Sequence, residues 1–203
     1  MRDSKDMGPY LVLFSVVGAS LYCIFTYISA TFYPQTFGPL ETYLSVLGNS
    51  SLNPDGALYY NLGVISAGLS LIPFYIGLFV SRKDTSYSHI LVVALLAGII
   101  NCISIIMSGV FSEDVYDLHF FWSLMIFLSW IPLLLLTNGV LIQMQGAFRG
   151  TGVYGMLLGL FDSVFVAYVI MFGSDEGSIL EWVTIFAFLG WAALLAFVTW
   201  REK

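Results

Sequence analysis

The residues best suited to chemistry fall into two groups. The first gathers a histidine among carboxylates: Asp55, Asn61, Glu113, Asp114, Asp117 and His119. Carboxylates beside an imidazole can hold a divalent cation, or they can divide general acid and base work between them. This makes His119, Asp114 and Asp117 the catalytic candidates, and Asp55, Glu113, Asp114 and His119 the metal-ligand candidates. The spacing Asp117-x-His119 matches no specific metal motif, and acids in loops are most often solvated. The second group is a pair of polar residues inside long apolar runs, Asn101 and Asp162. An acid near the bilayer midplane costs at least ~2.5 kcal/mol, so it needs a partner, a proton or water. No Lys or Arg lies inside any apolar run to neutralise it. Asn101 sits at a matching depth, and the expectation is a hydrogen bond between Asn101 and Asp162. That bond could be structural, or it could belong to a proton relay or polar ligand site. The second histidine, His89, reads as a surface residue.

These side chains are carried by a chain dominated by apolar residues. Of 203 residues, 59% are hydrophobic and 10% charged, against about 25% charged in an ordinary soluble domain. Spanning the hydrocarbon takes about 20 apolar residues as a helix. Six stretches qualify, at about 10–32, 58–80, 90–111, 120–142, 150–172 and 181–200. Lipid offers backbone groups no partner, so these runs must be helices. The expected fold is an all-α bundle of six transmembrane helices forming one domain over 1–203. The first run is too long for the core of a cleavable signal peptide and reads as an anchor that stays.

Charge fixes the expected threading. With six spans, Arg2, Lys5, Arg82, Lys83, Arg149, Arg201 and Lys203 all fall on one side. Glu41, Asp55, Glu113, Asp114, Asp117, Asp175, Glu176 and Glu181 fall on the other. The positive-inside rule places both termini in the cytoplasm, in a cell membrane. Tyr59, Tyr60, Phe120, Phe121, Trp122 and Trp182 gather at the outer ends, and Tyr87, Phe148 and Trp200 near the inner ones. Rings of this kind favour the headgroup level. The net charge of −6, with no basic cluster larger than Arg82-Lys83, speaks against nucleic acid as a partner. Cys23 and Cys102 both lie inside apolar runs and read as small packing residues.

One long loop, about 33–57, joins the first two spans. Gly38-Pro39 could start a helix there and Gly48 end it, with Leu40, Tyr43, Leu44 and Leu47 on one face. A short amphipathic helix on the outer surface is expected. Asn49-Ser50-Ser51 fits a glycosylation sequon. Gly152, Gly155, Gly159, Ser163 and Ala167 form a small-residue stripe in the fifth span. Ala94, Gly98 and Cys102 repeat it in the third, and Gly63 and Ala67 in the second. Such stripes let membrane helices approach closely, and a core of spans two, three and five is expected. Pro73 and Pro132 should kink the second and fourth spans or mark cavities there. No internal inverted repeat is visible, which argues against a transporter built on one.

Two segments carry a family resemblance. Leu44-Ser45-Val46-Leu47-Gly48, then Tyr60-Asn61-Leu62-Gly63 and Gly68, resembles the opening of the domain of unknown function 998 family. Gly109-Val110-Phe111-Ser112-Glu113-Asp114, then His119, is similar to that family's glycine–phenylalanine–acid segment and its following histidine. In plan these proteins resemble the DRAM/Frag/Sfk superfamily, with six spans and a histidine starting the fourth. The resemblance implies Asn61, Asp114 and His119 as the matched polar positions. Here Ser112 replaces the usual proline, and Val46 the usual acid. It also implies a link to lipid processing, lipid distribution or trafficking, without a catalytic mechanism.

Three readings follow. The first is a non-enzymatic protein that interacts with membrane lipids, or regulates another membrane protein, through an outer-leaflet groove near His119 and Asp114. The second is a membrane-embedded enzyme acting on lipid headgroups, with His119 and Asp114 or Asp117 as base and acid. The third is a proton-coupled transporter using Asp162. The sequence names no cofactor.

Overall fold

A computed structural model describes residues 10–80, 86–173 and 177–201. The basic residues Arg2, Lys5, Arg82, Lys83 and Lys203, and the acids Asp175 and Glu176, lie outside the described residues. Six long helices follow one another: α1 (Phe14–Phe32), α2 (Ala57–Val80), α3 (Ser88–Val110), α4 (Tyr116–Ile142), α5 (Ala147–Phe172) and α6 (Ser178–Arg201). All six are long and apolar enough to cross a membrane, with mean hydropathy from 1.5 to 2.8 over their best windows. Many large apolar side chains point outward, among them Tyr27, Leu58, Leu157, Val164 and Met171. In water such a surface would be an aggregation liability; against acyl chains it is the expected one.

Consecutive helices pack antiparallel, and the small residues show the register. A Cβ on Gly18 would lie 2.8 Å from Ser70 Cβ, and one on Gly63 would lie 2.7 Å from Phe25 Cβ, so α1 and α2 run in opposite directions. Gly68 rests on Cys102 and Ile106, and Gly98 on the Tyr75 ring, which joins α2 to α3 in the same way. Gly152 meets Ile142, and Gly159 meets Leu134 and Leu135, which does the same for α4 and α5. Gly146, at φ 65°, makes the tight turn between those two helices. Few residues but glycine adopt that conformation without strain.

The expected core of spans two, three and five is not formed. The tightest packing runs between chain neighbours, from α1 to α5, and α6 closes the circuit against α5 and α1. The α5 stripe faces α4, not α2 or α3, and it ends early, because Ala167 is exposed. Short connections force neighbours in sequence to be neighbours in space. The small residues therefore serve adjacent pairs, and the six helices form a ring. Pro73 and Pro132 remain inside unbroken helices.

Nor is there an amphipathic helix in the first loop. The Gly38 carbonyl accepts from the Glu41 and Thr42 N–H groups at 3.1 and 3.0 Å, and the turn stops there. Leu44–Gly48 then forms a short 3₁₀ helix. Leu40 is 75% exposed while Leu44 and Leu47 are completely buried, so the four residues do not share a face. The reason is competition for backbone groups. The N terminus of α6 supplies partners that a helix would otherwise supply internally. Ser178 Oγ donates to the Pro39 carbonyl at 3.0 Å, Trp182 Nε1 to the Thr42 carbonyl at 2.9 Å, and the Leu44 N–H donates to Glu181 Oε2 at 2.7 Å. At the other end of the loop, Asn53 Nδ2 donates to Ser29 Oγ at 3.0 Å and to the Leu47 carbonyl at 3.0 Å. The loop is a cap sewn across one end of the ring.

Candidate functional site

Beneath the cap the ring is not filled. Two cavities lie side by side, each with about 680 Å³ of empty space including its mouth. Ser45 of the cap, His119, Ser123 and Phe127 of α4, and Glu181 of α6 line both. The first cavity continues down the ring past Val64, Ala67 and Leu71 of α2 to Trp130 of α4 and Phe188 of α6. The second passes between α4 and α5, along Phe120, Leu124, Phe165, Val166 and Val169, with Glu113 at its polar end. The acids, the imidazole and the serines stand near the capped end, and the walls below are mostly aliphatic and aromatic, with the Trp130 indole at the far end of the first cavity. Among the described residues no Lys or Arg lines either space.

His119 is held in one orientation. Its Nδ1 lies 2.9 Å from the Phe111 carbonyl and 3.1 Å from the Ser108 carbonyl. Carbonyl oxygens only accept, so Nδ1 carries a proton, and in the neutral tautomer so fixed Nε2 presents a lone pair. Ser123 Oγ, one turn along α4, is 3.2 Å from Nε2 and donates to it. The end of α3 thus orients a base that lines both cavities. Glu181 is 7% exposed, and the Leu44 N–H satisfies only Oε2. Glu113 lies within electrostatic reach of His119 and Glu181, and its Oε2 is buried with no partner among the described residues.

The other expected site residues are placed differently. Asp114 is exposed and faces the cap: Oδ1 accepts from the Ser50 N–H and Ser50 Oγ, each at 2.9 Å, and Oδ2 from Ser112 Oγ at 2.8 Å. It fastens the cap to the end of α3 and lines neither cavity. Asp55 and Asp117 are exposed and line neither cavity. Among the described residues no three His, Cys, Asp or Glu converge as a metal site would require. Asn61 donates to the Gly48 carbonyl at 3.1 Å and is a second fastening of the cap. Asn49 Oδ1 accepts from the Ser51 and Leu52 N–H groups at 2.9 and 3.2 Å. His89 is exposed.

The expected bond between Asn101 and Asp162 is absent. Asn101 accepts from the Tyr75 hydroxyl at 3.1 Å and donates to the Ile126 carbonyl at 3.1 Å and Ser129 Oγ at 3.2 Å. It knits α2, α3 and α4 together. Asp162 belongs to α5, which faces α4 and α6, and depth along the bilayer says nothing about position around the ring. It is completely buried, neither oxygen has a hydrogen-bond partner among the described residues, and it lines neither cavity. Two rings assigned to the headgroup belt turn inward, since Tyr60 and Phe148 are buried.

Ser45 of the cap, and Glu113 and His119 behind it, come from the two segments that carry the family resemblance. Residues 16–198 match the family described as protein of unknown function (DUF998). The chain belongs to that family. The DUF998 match runs from α1 through α6 and so includes the cap, both cavities and every residue of the polar end. No curated protein matches the chain, and neither does any solved structure. In this DUF998 protein, sequence reasoning puts Glu181 among the outer acids without marking it as part of a site, and it passes over Ser123. The available signal for Glu181 is an acid placed at the very start of an apolar span, beside Trp182. Ser123, one turn after His119 on a helix, carries a weaker one.

Proposed function

We propose that this membrane protein binds a single-chain amphiphile, with the head at His119 and Glu181 and the hydrocarbon tail in the apolar part of the ring. The observation that carries this reading is the polarity of the cavities. The carboxylates, the imidazole and the serines stand near the capped end, and aliphatic and aromatic side chains line most of the rest. Ligand sites have this character, largely apolar with a few convergent polar groups. The non-enzymatic, lipid-interacting reading is thereby favoured, with the groove moved from Asp114 to the cavity behind it. In this reading both termini are cytoplasmic and the head lies at the outer leaflet. Arg149 and Arg201 stand at one end of the ring, and Asp55, Glu113, Asp117 and Glu181 at the other, which supports that orientation.

Native mass spectrometry of the protein released from its own membrane tests the reading. Bound lipid should be seen, and Val64→Phe, which places a ring in the first cavity, should lose it while keeping its elution volume. A lipid-free wild type, or an unchanged lipid load in Val64→Phe, would overturn it. Orientation is tested in a Cys23→Ser background. Asp55→Cys should react with an impermeant maleimide on intact cells, and labelling only after lysis would reverse the threading.

One observation favours an enzyme as the second reading: the oriented His119 with Ser123 at its Nε2. A serine beside a fixed base is an arrangement used for acyl transfer. In that case Ser123→Ala should abolish reaction with a fluorophosphonate probe and leave lipid binding intact. No reaction in the wild type would remove this reading. The carboxylate beside the base would be Glu181 or Glu113, because Asp114 and Asp117 lie outside the cavities. The transporter reading finds no support in Asp162, which lines neither of these cavities.

A further inference from the structure

We propose that the second cavity selects an organic cation, so that the amphiphile's head is an ammonium group and not a phosphate or carboxylate. The inference rests on the amphiphile reading and adds the chemistry of the head. Two acids, Glu113 and Glu181, share this cavity with His119, which offers a lone pair at Nε2. The Leu44 N–H satisfies one oxygen of Glu181, and Oε2 of Glu113 has no partner among the described residues. The polar end is therefore rich in acceptors and, among the described residues, holds no Lys or Arg. A buried carboxylate without a counter-charge is expensive, and a ligand that brings positive charge removes that cost. An anionic head would meet acceptors and, among the described residues, no Lys or Arg.

The remaining walls make the same selection independently. Tyr43, Tyr116, Phe120, Phe127 and Phe165 line this cavity. Five rings around a space that also holds carboxylates suit an alkylated ammonium, whose charge is attracted to ring faces while its methyl groups fill apolar volume. A metal ion fits less well. Among the described residues no three potential ligands converge, and aromatic walls offer a hard cation nothing. The tail has a continuous route, since Phe127 and Ser123 line both cavities and the first is apolar along α2 and α6.

Equilibrium dialysis of the full chain in nanodiscs decides the matter, with empty nanodiscs correcting for partition into lipid. The probes are octyltrimethylammonium, octan-1-ol and octanoate, each below its micellar limit. The ammonium should bind saturably and about tenfold or more tightly than octanol, with octanoate weakest. Glu113→Gln combined with Glu181→Gln should abolish that preference, read as the ratio of ammonium to octanol affinity. Phe120→Leu, which keeps both acids, should lower the same ratio several-fold. Octanol or octanoate binding as tightly as the ammonium would overturn the inference and leave the amphiphile reading standing. So would a preference that survives in both variants. Binding of none of the three would sink both.

Discussion

Glu181 and Leu44, 137 positions apart, are joined by a 2.7 Å hydrogen bond from the Leu44 N–H to the Glu181 carboxylate. That bond makes one acid serve two parts of the molecule. One oxygen fixes the cap over the end of the ring, and the residue as a whole forms part of the wall of both cavities. Closing the cap and completing the polar end are therefore the same structural event.

The two roles of Glu181 should separate by substitution. Glu181→Gln retains an acceptor for the Leu44 N–H and should keep the cap in place. Glu181→Ala leaves that buried N–H unsatisfied, a cost of about 1–3 kcal/mol. Thermal unfolding in detergent should show a lower Tm for Ala than for Gln, together with faster amide exchange at Leu44. Equal Tm values and equal exchange would mean that the tether contributes nothing.

Asn138 and Gly155 should prove coupled. Asn138 Oδ1 accepts from Trp191 Nε1 at 2.9 Å, and its Nδ2 donates to the Leu134 carbonyl at 2.7 Å. The amide lies directly under Gly155, where a Cβ would overlap it. Gly155→Ala should destabilise by about 1–3 kcal/mol through overpacking. In an Asn138→Ala background the same change should cost much less, although Asn138→Ala is itself destabilising, because it strands the buried indole N–H of Trp191. A double-mutant cycle by chemical denaturation measures this. Strict additivity would contradict the contact.

Asn101 and Asp162 should behave as strangers. They share no bond, so Asn101→Ala and Asp162→Asn should add to within about 0.5 kcal/mol. Asn101→Ala should be the costly one of the pair, because it strands the Tyr75 hydroxyl among α2, α3 and α4. Asp162→Asn should leave ligand retention unchanged, since Asp162 lines neither cavity. A coupling above about 1 kcal/mol would restore the bond between them.

Much of this can be read from residue types. Every expected span is a helix, and Tyr116 begins the fourth only a few positions earlier than hydropathy suggests. His119, expected beside Asp114 and Asp117 in an outer cluster, instead lines the cavities behind the cap. Residue type and position mark Asp114 and Asn61 for the right neighbourhood but not for the right role. Both fasten the cap, and neither enters a cavity. Glu181 is visible only as an acid at a span's end, since nothing local tells a carboxylate facing water from one folded under a loop.

The sequence alone determined the number of helices, because hydrocarbon accepts a backbone only when its polar groups are bonded within the segment. It also separated cations from acids along the chain, from which an orientation can be argued. The tertiary structure alone decided which faces meet. Hydropathy has no angular information when a helix is apolar all round, and lipid rewards no particular face. The ring order, the cap sewn to α6, the unfilled space and the placing of His119 and Glu181 on the same cavities arise from side-chain shape and from distant backbone groups finding partners. The bonds that sew the cap to α6 join residues more than a hundred positions apart, where no local pattern reaches.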